Sequence, residues 1–557
     1  MKRYLNKKRI YKVLIIFILI FSVLILRIYK FQYLDRDKFA VMADAQYAYK
    51  EPIWENKFKL LDTNGKDLLK YKDKYYAVIV PQSFEDNEKE EEKVLSILYT
   101  LKNYNKDYDL AESNVTKSGK LYYEIDKNTY EKLMKMKKLK GFYVYKTSVV
   151  DKDYNNRKEH WKLENMLLNP YKKDGKTFKN KDSLEYKIYD KTKDNDIDKI
   201  VYNKDLNGQI MSNEIEKASK SVNPKLTLDS NIQDKIRKVL ENKKYKKYSQ
   251  IGVALMESDT GKISGMAQKD ETLPNVIIGA SSKNGFPPGS IFKVIVEEAA
   301  LENDVITEDD KFYCKGQFEK NHEGCHGNLN YKDAFTVSCN DIFSQIGRKV
   351  GFGNIDDIMK RQDLFGKVLN LNYEQKGSFQ LSNNKKPSLE DGTLSLISFG
   401  QLMRMTPIEA LSMVNVVVNN GVYTKPYLLE SYVDNNNKTL QTEKTIKKKI
   451  IDKDNAINIK DQMIDVVKKG TGKLAYNKNI LIGGKTGSTE RTEKDGKGKI
   501  KSKSDGWFIG FFENNGKTYS MVVFVPNIDS EKESAGNTAV PIFYDIVKEL
   551  NKGEILK

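Results

Sequence analysis

The stretch Val13–Leu26, VLIIFILIFSVLIL, has Ser22 as its one polar member and follows a tail carrying Lys2, Arg3, Lys7, Lys8, Arg9 and Lys12 with no acid. A run this apolar has to leave water, and what it enters decides where the rest of the chain works. A helix crossing a bilayer at right angles needs about 20 apolar residues. Ile10, Tyr11, Ile28 and Tyr29 lengthen the run, while Lys12, Arg27 and Lys30 can reach the headgroups with their charged ends. A cleaved leader is the rival reading, and Ala43-Asp44-Ala45 has the small-x-small look of a cleavage site. It lies beyond Arg27, Lys30, Arg36 and Lys38, too far from the apolar run for ordinary processing. The expectation is an uncleaved anchor over residues 13–30, with residues 1–12 cytoplasmic by the positive-inside rule. Everything after about residue 35 then sits outside the membrane, which makes a single-pass cell-membrane protein with an extracytoplasmic bulk.

The 557 residues include 95 Lys+Arg against 77 Asp+Glu, a net charge of +18. Signs are mixed along the chain (Glu85–Lys93 is mostly acidic), and no compact basic-aromatic module stands out. A solvated surface facing an anionic envelope accounts for the excess, and no nucleic-acid partner is expected. Hydrophobic residues make up 39%, enough for packed cores. Three cysteines exclude a disulfide scaffold. Three histidines, His160, His322 and His326, leave little room for Ser-His-Asp or multi-histidine metal chemistry.

Residues 31–223 are rich in Lys, Asp, Asn and Tyr, with strand-like pieces at Tyr75–Val80 and Phe142–Val150 and a helical one at Val94–Leu101. They read as an α+β spacer without chemistry. The texture changes at Asn223-Pro224, where LTLDSNI leads into a helix. From residue 224 to 557 the chain reads as a packed enzyme domain. Ile251–Met256 is a buried strand, turning at Asp259-Thr260-Gly261 into a return strand. Asn479–Gly484, Trp507–Phe512 and Tyr519–Val525 are further strands, and Thr538–Leu550 is a closing helix. Strands at both ends with helices between imply an α+β fold, a central antiparallel sheet flanked by helices.

Three motifs fall in one order: Ser290-Ile291-Phe292-Lys293, Ser338-Cys339-Asn340 and Lys485-Thr486-Gly487. Each alone is weak, since Ser382-Asn383-Asn384-Lys385 and Lys117-Ser118-Gly119 mimic two of them. Their surroundings decide. Pro287-Pro288-Gly289 precedes Ser290 and an apolar helix follows, which puts Ser290 in a first helical turn whose free N–H groups favour an oxyanion. Positions 290 and 293 share a helix face, so Lys293 can reach the Ser290 hydroxyl. A lysine desolvated there loses its proton readily and can serve as base. The strand before Lys485 ends in Gly483-Gly484. Gly487 would let a substrate lie along that strand, Lys485 supplies a fixed cation, and Thr486 and Ser488 offer hydroxyls to a carboxylate.

Ser-x-x-Lys, Ser-x-Asn and Lys-Thr-Gly in this order resemble the penicillin-recognising serine acyl transferases, the D,D-transpeptidases and serine β-lactamases. LTLDSNIQ, PPGSIFK, SCNDIF, the stretch from Thr406-Pro407 to Asn420-Gly421, and GGKTGST followed by DGWFIGF are similar to the transpeptidase branch over roughly residues 224–550. With one anchor, no glycosyltransferase domain and a spacer, the chain resembles class B penicillin-binding proteins. Asp62-Thr63-Asn64-Gly65 is similar to the family's Asp-Arg-Asn-Gly turn without its arginine. The resemblance implies a penicillin-binding transpeptidase fold on an elongated α+β pedestal of dimerisation-like type over residues 31–223. It implies that Ser290 attacks the carbonyl between two D-alanines of a peptidoglycan stem peptide, with Lys293 as base. Ser338 relays the proton to the leaving amine and Asn340 holds the substrate amide. Lys485 holds charge, Thr486 and Ser488 bind the terminal carboxylate, and the backbone N–H groups of Ser290 and Ser488 form the oxyanion hole. An amine of a neighbouring stem peptide then completes the cross-link, and β-lactams stall the acyl stage. A polytopic glycan polymerase of the SEDS class is the partner the resemblance implies for the anchor.

Cys314, Cys325, His326 and Cys339 gather between Ser290 and Asn340. Thiolates and imidazole are what a tetrahedral structural Zn²⁺ takes. The spacing C-x10-CH-x12-C is no standard finger, and adjacent ligands are awkward, so His322 or Asp310 stands as a substitute. Two other readings remain beside zinc: a Cys314–Cys325 disulfide with Cys339 a buried thiol, or no link. His-Gly ahead of S-C-N is also similar to class B relatives with zinc near this position. Such a zinc would brace the loop and do no chemistry.

Other function classes are a β-lactam sensor or β-lactamase, a D,D-carboxypeptidase, and a non-catalytic scaffold. A β-lactamase needs no long spacer, a sensor would carry more membrane passes, and a scaffold need not keep Ser290, Lys293 and Lys485 together. Carboxypeptidase activity uses the same residues.

Overall fold

The computed structural model describes residues 7–34, 47–109, 116, 119–136, 139–151, 161–205, 208–318, 325–382, 385–494 and 500–552. The apolar run forms the helix Lys7–Tyr29, continued by one π-turn over Lys30–Leu34. By length and composition, Tyr11–Tyr33 is a candidate membrane span.

The chain folds into two compact units. The first gathers Met1–Lys57, Tyr71–Val150 and Asn195–Ser221. Its strand Tyr71–Ile79 lies between Leu121–Ile125 and Phe142–Val150, all antiparallel. Helices Glu91–Tyr104 and Lys127–Met134 bury Ile97, Leu101 and Leu133 with Ala77, Ile79, Leu121 and Phe142. A second sheet joins Ala48–Pro52, Lys199–Lys204 and Ile210–Glu216. Buried Glu51 is the polar centre of this unit and accepts hydrogen bonds from Lys120 Nζ at 2.7 Å and Tyr143 Oη at 2.5 Å.

The second unit is built on a five-stranded antiparallel sheet of β1 (Gly252–Glu257), β2 (Ile263–Gln268), β3 (Ile482–Lys494), β4 (Ile500–Asn514) and β5 (Lys517–Ile528), in the order β3-β4-β5-β1-β2. Helices from residue 230 onward include α1 (Ser230–Leu240), α2 (Lys293–Glu302), α3 (Tyr331–Val337), α4 (Asn340–Val350), α5 (Phe352–Arg361), α6 (Pro407–Val418), α7 (Lys453–Lys468) and α8 (Ala539–Leu550). Side chains alternate across a strand. Thus Val253, Leu255, Phe508, Phe512, Met521, Val523 and Val525 join Ile236 and Val239 of α1 and Ile542, Phe543 and Ile546 of α8 in one core. Phe511, one position off that register, lies 5.3 Å from the Lys460 Nζ of α7. Helix α6 opens on Pro407 with a capping box in which Thr406 and Glu409 satisfy each other's backbone N–H groups.

The expected boundary at residue 223 needs correction. The second unit also takes Phe58–Lys70 and Asp151–Asp194, segments the sequence reading placed in the pedestal. Leu60 and Leu61 are buried there, and Leu61 is pinned by Leu61 N to Pro224 O at 3.0 Å and Leu226 N to Leu61 O at 2.8 Å. The Asp62 turn meets the start of helix α1: Oδ1 accepts from the N–H groups of Asn64 and Lys66, and Oδ2 accepts from Ser230 N at 3.2 Å. Arg237 on α1 binds Glu164 and Glu271, both at 3.1 Å, which holds the second inserted segment.

Candidate active site

Pro287-Pro288-Gly289 enters a 3₁₀ turn, Gly289–Phe292, which passes directly into α2. Side chains three apart eclipse in a 3₁₀ turn. The turn carries Ser290, half-buried, three residues before the fully buried Lys293. Two glycines from elsewhere hold this turn by backbone contact. A Cβ on Gly400 (φ +79°) would lie 2.0 Å from the Gly289 carbonyl oxygen, and Gly289 N donates to Gly400 O at 3.2 Å. A Cβ on Gly487 would lie 2.6 Å from Pro288 O and 3.3 Å from Ile291 N. The glycine of Lys485-Thr486-Gly487 therefore lets β3 lie against the Gly289–Phe292 turn.

Ser338 caps α3 in the left-handed region, at φ 63° and ψ 37°. A non-glycine residue held there stores strain that the neighbours must supply. Ser338 N bonds to Phe335 O and Cys339 N to Ala334 O, and Asn340 then opens α4. Ser338 Oγ stands between the two lysines, 3.3 Å from Lys293 Nζ and 2.7 Å from Lys485 Nζ. Lys293 Nζ also donates to Ser338 O at 2.6 Å and Asn340 Oδ1 at 2.8 Å. The ring of Phe343 lies 5.3 Å from Lys293 Nζ, and that of Phe335 lies 5.5 Å from Lys485 Nζ. Burial, and next the charge of Lys293, hold Lys485 well below the usual lysine range.

The sequence reading ended the third motif's strand at the glycines, but β3 begins at Ile482 and runs through the motif, pairing Lys485 with Ile509 and Gly487 with Trp507. It is an edge strand of the sheet. Thr486 Oγ1 lies 2.6 Å from Thr471 Oγ1, and Ser488 Oγ accepts from Ala535 N at 2.9 Å. Thr471 and Ala535 were not legible beforehand, because neither stands in a motif.

Three of the four expected metal ligands converge. The ligand atoms of Cys314, His326 and Cys339 lie within 4.8 Å of one another, and Cys314 Sγ is 3.7 Å from His326 Nδ1. Tetrahedral zinc with such ligands sets sulfur and nitrogen about 3.6 Å apart, so the trio fits the ion. Cys325 is the exception. It is exposed, and its Sγ donates to Cys314 O at 2.9 Å. Its neighbour His326 is half-buried and takes the inward place. All three cysteines are free thiols, so the Cys314–Cys325 disulfide is not formed here. Asp310 is committed to Thr307 N at 2.7 Å and Lys349 Nζ at 3.2 Å, and His322 lies outside the described residues. Cys339 lies between Ser338 and Asn340, and its Sγ accepts from Ile342 N at 3.5 Å at the start of α4.

Residues 251–548, more than half of the chain, match the family described as the penicillin binding protein transpeptidase domain. Stage V sporulation protein D of Bacillus subtilis is 26% identical over 98% of this chain and 85% of its own length. Peptidoglycan D,D-transpeptidase FtsI of Buchnera aphidicola is 26% identical over 62% of this chain and 61% of its own length. Among solved structures, penicillin binding protein 3 of Mycobacterium tuberculosis complexed with aztreonam shares the fold, with a TM-score of 0.52 and 19% identity over 61% of this chain and 81% of its own. With its three motifs brought together at the half-buried Ser338 hydroxyl and its family thus shown, the chain belongs to the class B penicillin-binding proteins and is a serine-type peptidoglycan D,D-transpeptidase.

Proposed function

We propose that Ser290 is the residue acylated by the stem peptide, with Lys293, Ser338 and Lys485 carrying its proton. The observation that supports this reading most is the meeting of both lysine amines on Ser338 Oγ at 3.3 and 2.7 Å. Ser338 O and Asn340 Oδ1 can only accept, so each takes an N–H group of the Lys293 amine and fixes its orientation. Ser290 Oγ attacks the carbonyl between the two D-alanines as its proton passes to Lys293 Nζ. Backbone N–H groups of Ser290 and Ser488 receive the oxyanion. The proton then moves through Ser338 Oγ to the departing D-Ala nitrogen, while Lys485 keeps Ser338 oriented. Asn340 holds the substrate amide, and the edge strand β3 with Lys485, Thr486 and Ser488 receives the terminal carboxylate. An acceptor amine retraces the path, giving its proton back through Lys293 as the ester breaks. A β-lactam enters by the same attack and stays as the acyl-enzyme.

Cys314, His326 and Cys339 would hold a zinc ion, which when bound would supply a structural cross-link and no step of the reaction. Because Cys339 lies inside the second motif, that cross-link would secure Ser338 in its left-handed conformation. The N-terminal helix anchors the chain with its basic tail in the cytoplasm, the catalytic unit outside, and a SEDS-class polymerase as membrane partner.

Labelling with fluorescent penicillin tests the nucleophile. Ser290→Ala is expected to lose the covalent band entirely, and a band of unchanged intensity would remove Ser290 from the role.

A further inference from the structure

The carboxylate seat on β3 includes one hydroxyl that stands in none of the three motifs, that of Thr471. Thr486 Oγ1 and Ser488 Oγ receive the terminal carboxylate in the steps above, and each has a neighbour behind it. Ser488 Oγ accepts from the backbone N–H of Ala535 at 2.9 Å. Thr486 Oγ1 lies 2.6 Å from Thr471 Oγ1. Thr486 is buried, whereas Thr471 and Ser488 are exposed.

The fold holds Thr471 in this place through main-chain contacts. It stands between Gly470 and Gly472, just past the end of α7. Gly470 N donates to Asp465 O and Val466 O, both at 3.1 Å, and Gly472 N donates to Val466 O at 3.0 Å. Carbonyls of the last helical turn thus fix the loop. A Cβ on Gly470 would lie 2.4 Å from Thr336 O on α3, two residues before Ser338, so the glycine lets the loop press against α3. On the other side, Thr471 O lies 3.0 Å from where a Cβ on Gly536 would stand, next to the Ala535 that holds Ser488. The loop is wedged between α3, β3 and the Ala535–Asn537 turn.

A hydroxyl has one proton to donate and lone pairs with which to accept. At 2.6 Å, one of the two threonines donates to the other. If Thr486 gives its proton to Thr471, it offers a carboxylate nothing but lone pairs. If Thr471 is the donor, the Thr486 proton is left for the carboxylate, which can only accept. Ser488 follows the same plan, since Ala535 N fills a lone pair of Ser488 Oγ and leaves its proton for the ligand. Hydrogen bonds in such a chain strengthen one another. We propose that Thr471 is a positioning residue for carboxylate recognition: it donates to Thr486 Oγ1 and so directs the Thr486 proton at the terminal carboxylate of a stem peptide or a β-lactam. The proposal rests on the reading of β3 as the carboxylate seat.

The test compares acylation of the full chain by benzylpenicillin, which carries the carboxylate, and by its methyl ester, which has the same ring without the charge. The fluorescent penicillin label remaining after timed pre-incubation measures both rates. Thr471→Val keeps the shape and removes the hydroxyl. It is expected to slow acylation by the acid about tenfold, the scale of a lost hydrogen bond to a charged group, and to leave the ester rate in place. Thr471→Ser restores the hydroxyl and should recover the acid rate. Because Thr471 acts through Thr486, adding Thr471→Val to Thr486→Val should cost nothing further. A loss shared equally by acid and ester would mark a role in loop shape alone and overturn the proposal. An unchanged acid rate in Thr471→Val, failure of Thr471→Ser to recover it, or full additivity of the two valines overturns it as well. If Thr486→Val slowed acid and ester alike, the reading of β3 as the carboxylate seat would fall and the proposal with it, so the two failures are told apart.

Discussion

A side-chain carbon on Gly487 would lie 2.6 Å from the carbonyl oxygen of Pro288, closer than a Cβ tolerates. Gly487→Ala must therefore push β3 away from the Gly289–Phe292 turn or twist the turn itself. The expected result is a folded protein whose acylation by fluorescent penicillin is slowed about 100-fold, the scale of a misplacement near 1 Å. Circular dichroism together with labelling kinetics checks both halves.

Lys485 and Ser338 form the other tight relationship of the site, at 2.7 Å. Lys485→Ala leaves Ser338 Oγ with one lysine partner and should slow acylation by about 10²–10³-fold. Lys485→Arg keeps the charge but not the compact ammonium, and it is expected to recover little. Stopped-flow acylation rates at one fixed pH decide.

Metal analysis separates the cysteines. Wild-type protein and Cys325→Ser are expected to carry one zinc per chain, because Cys325 lies outside the trio. Cys314→Ser or chelation should remove the ion and lower the thermal midpoint. Equal zinc loss in Cys325→Ser would move that residue into the ligand set.

Arg237 joins α1 to Glu164 and Glu271. Arg237→Met leaves two little-exposed carboxylates without their cation and is expected to cost about 2–4 kcal/mol. Chemical denaturation measures the loss, and proteolysis should then cut first between residues 151 and 194, the segment this contact retains.

Glu298 gives a pH prediction of definite sign. Burial raises its folded-state value well above 4.5, so the folded chain keeps a proton that the unfolded chain releases. Stability therefore falls as pH rises from the unfolded value toward the folded one. Glu298→Gln, which still accepts from Gln362, should remove that slope and raise the thermal midpoint at mildly alkaline pH by about 3 °C or more.

Much of the second unit was legible because its signals are local. Proline and glycine before Ser290 announce a helix start, and strand β1 is apolar from Gly252 to Met256. What escaped depends on distant pairing. Leu61 reads as a spacer residue until its bonds to Pro224 and Leu226 are known. Gly487 suggests substrate access until Pro288 and Ile291 are found against it. Cys325 and His326 look equivalent as ligands in sequence, and the fold separates them by turning His326 toward Cys314 and Cys339 and leaving Cys325 exposed.

The clasp of Gly400 and Gly487 on the nucleophile turn consists of main-chain atoms, which every amino acid has in common. Exchange of side chains at other positions does not touch it. Descendants of this chain can reshape the mouth of the cleft freely, so long as these two positions stay glycine and the path of the backbone is kept.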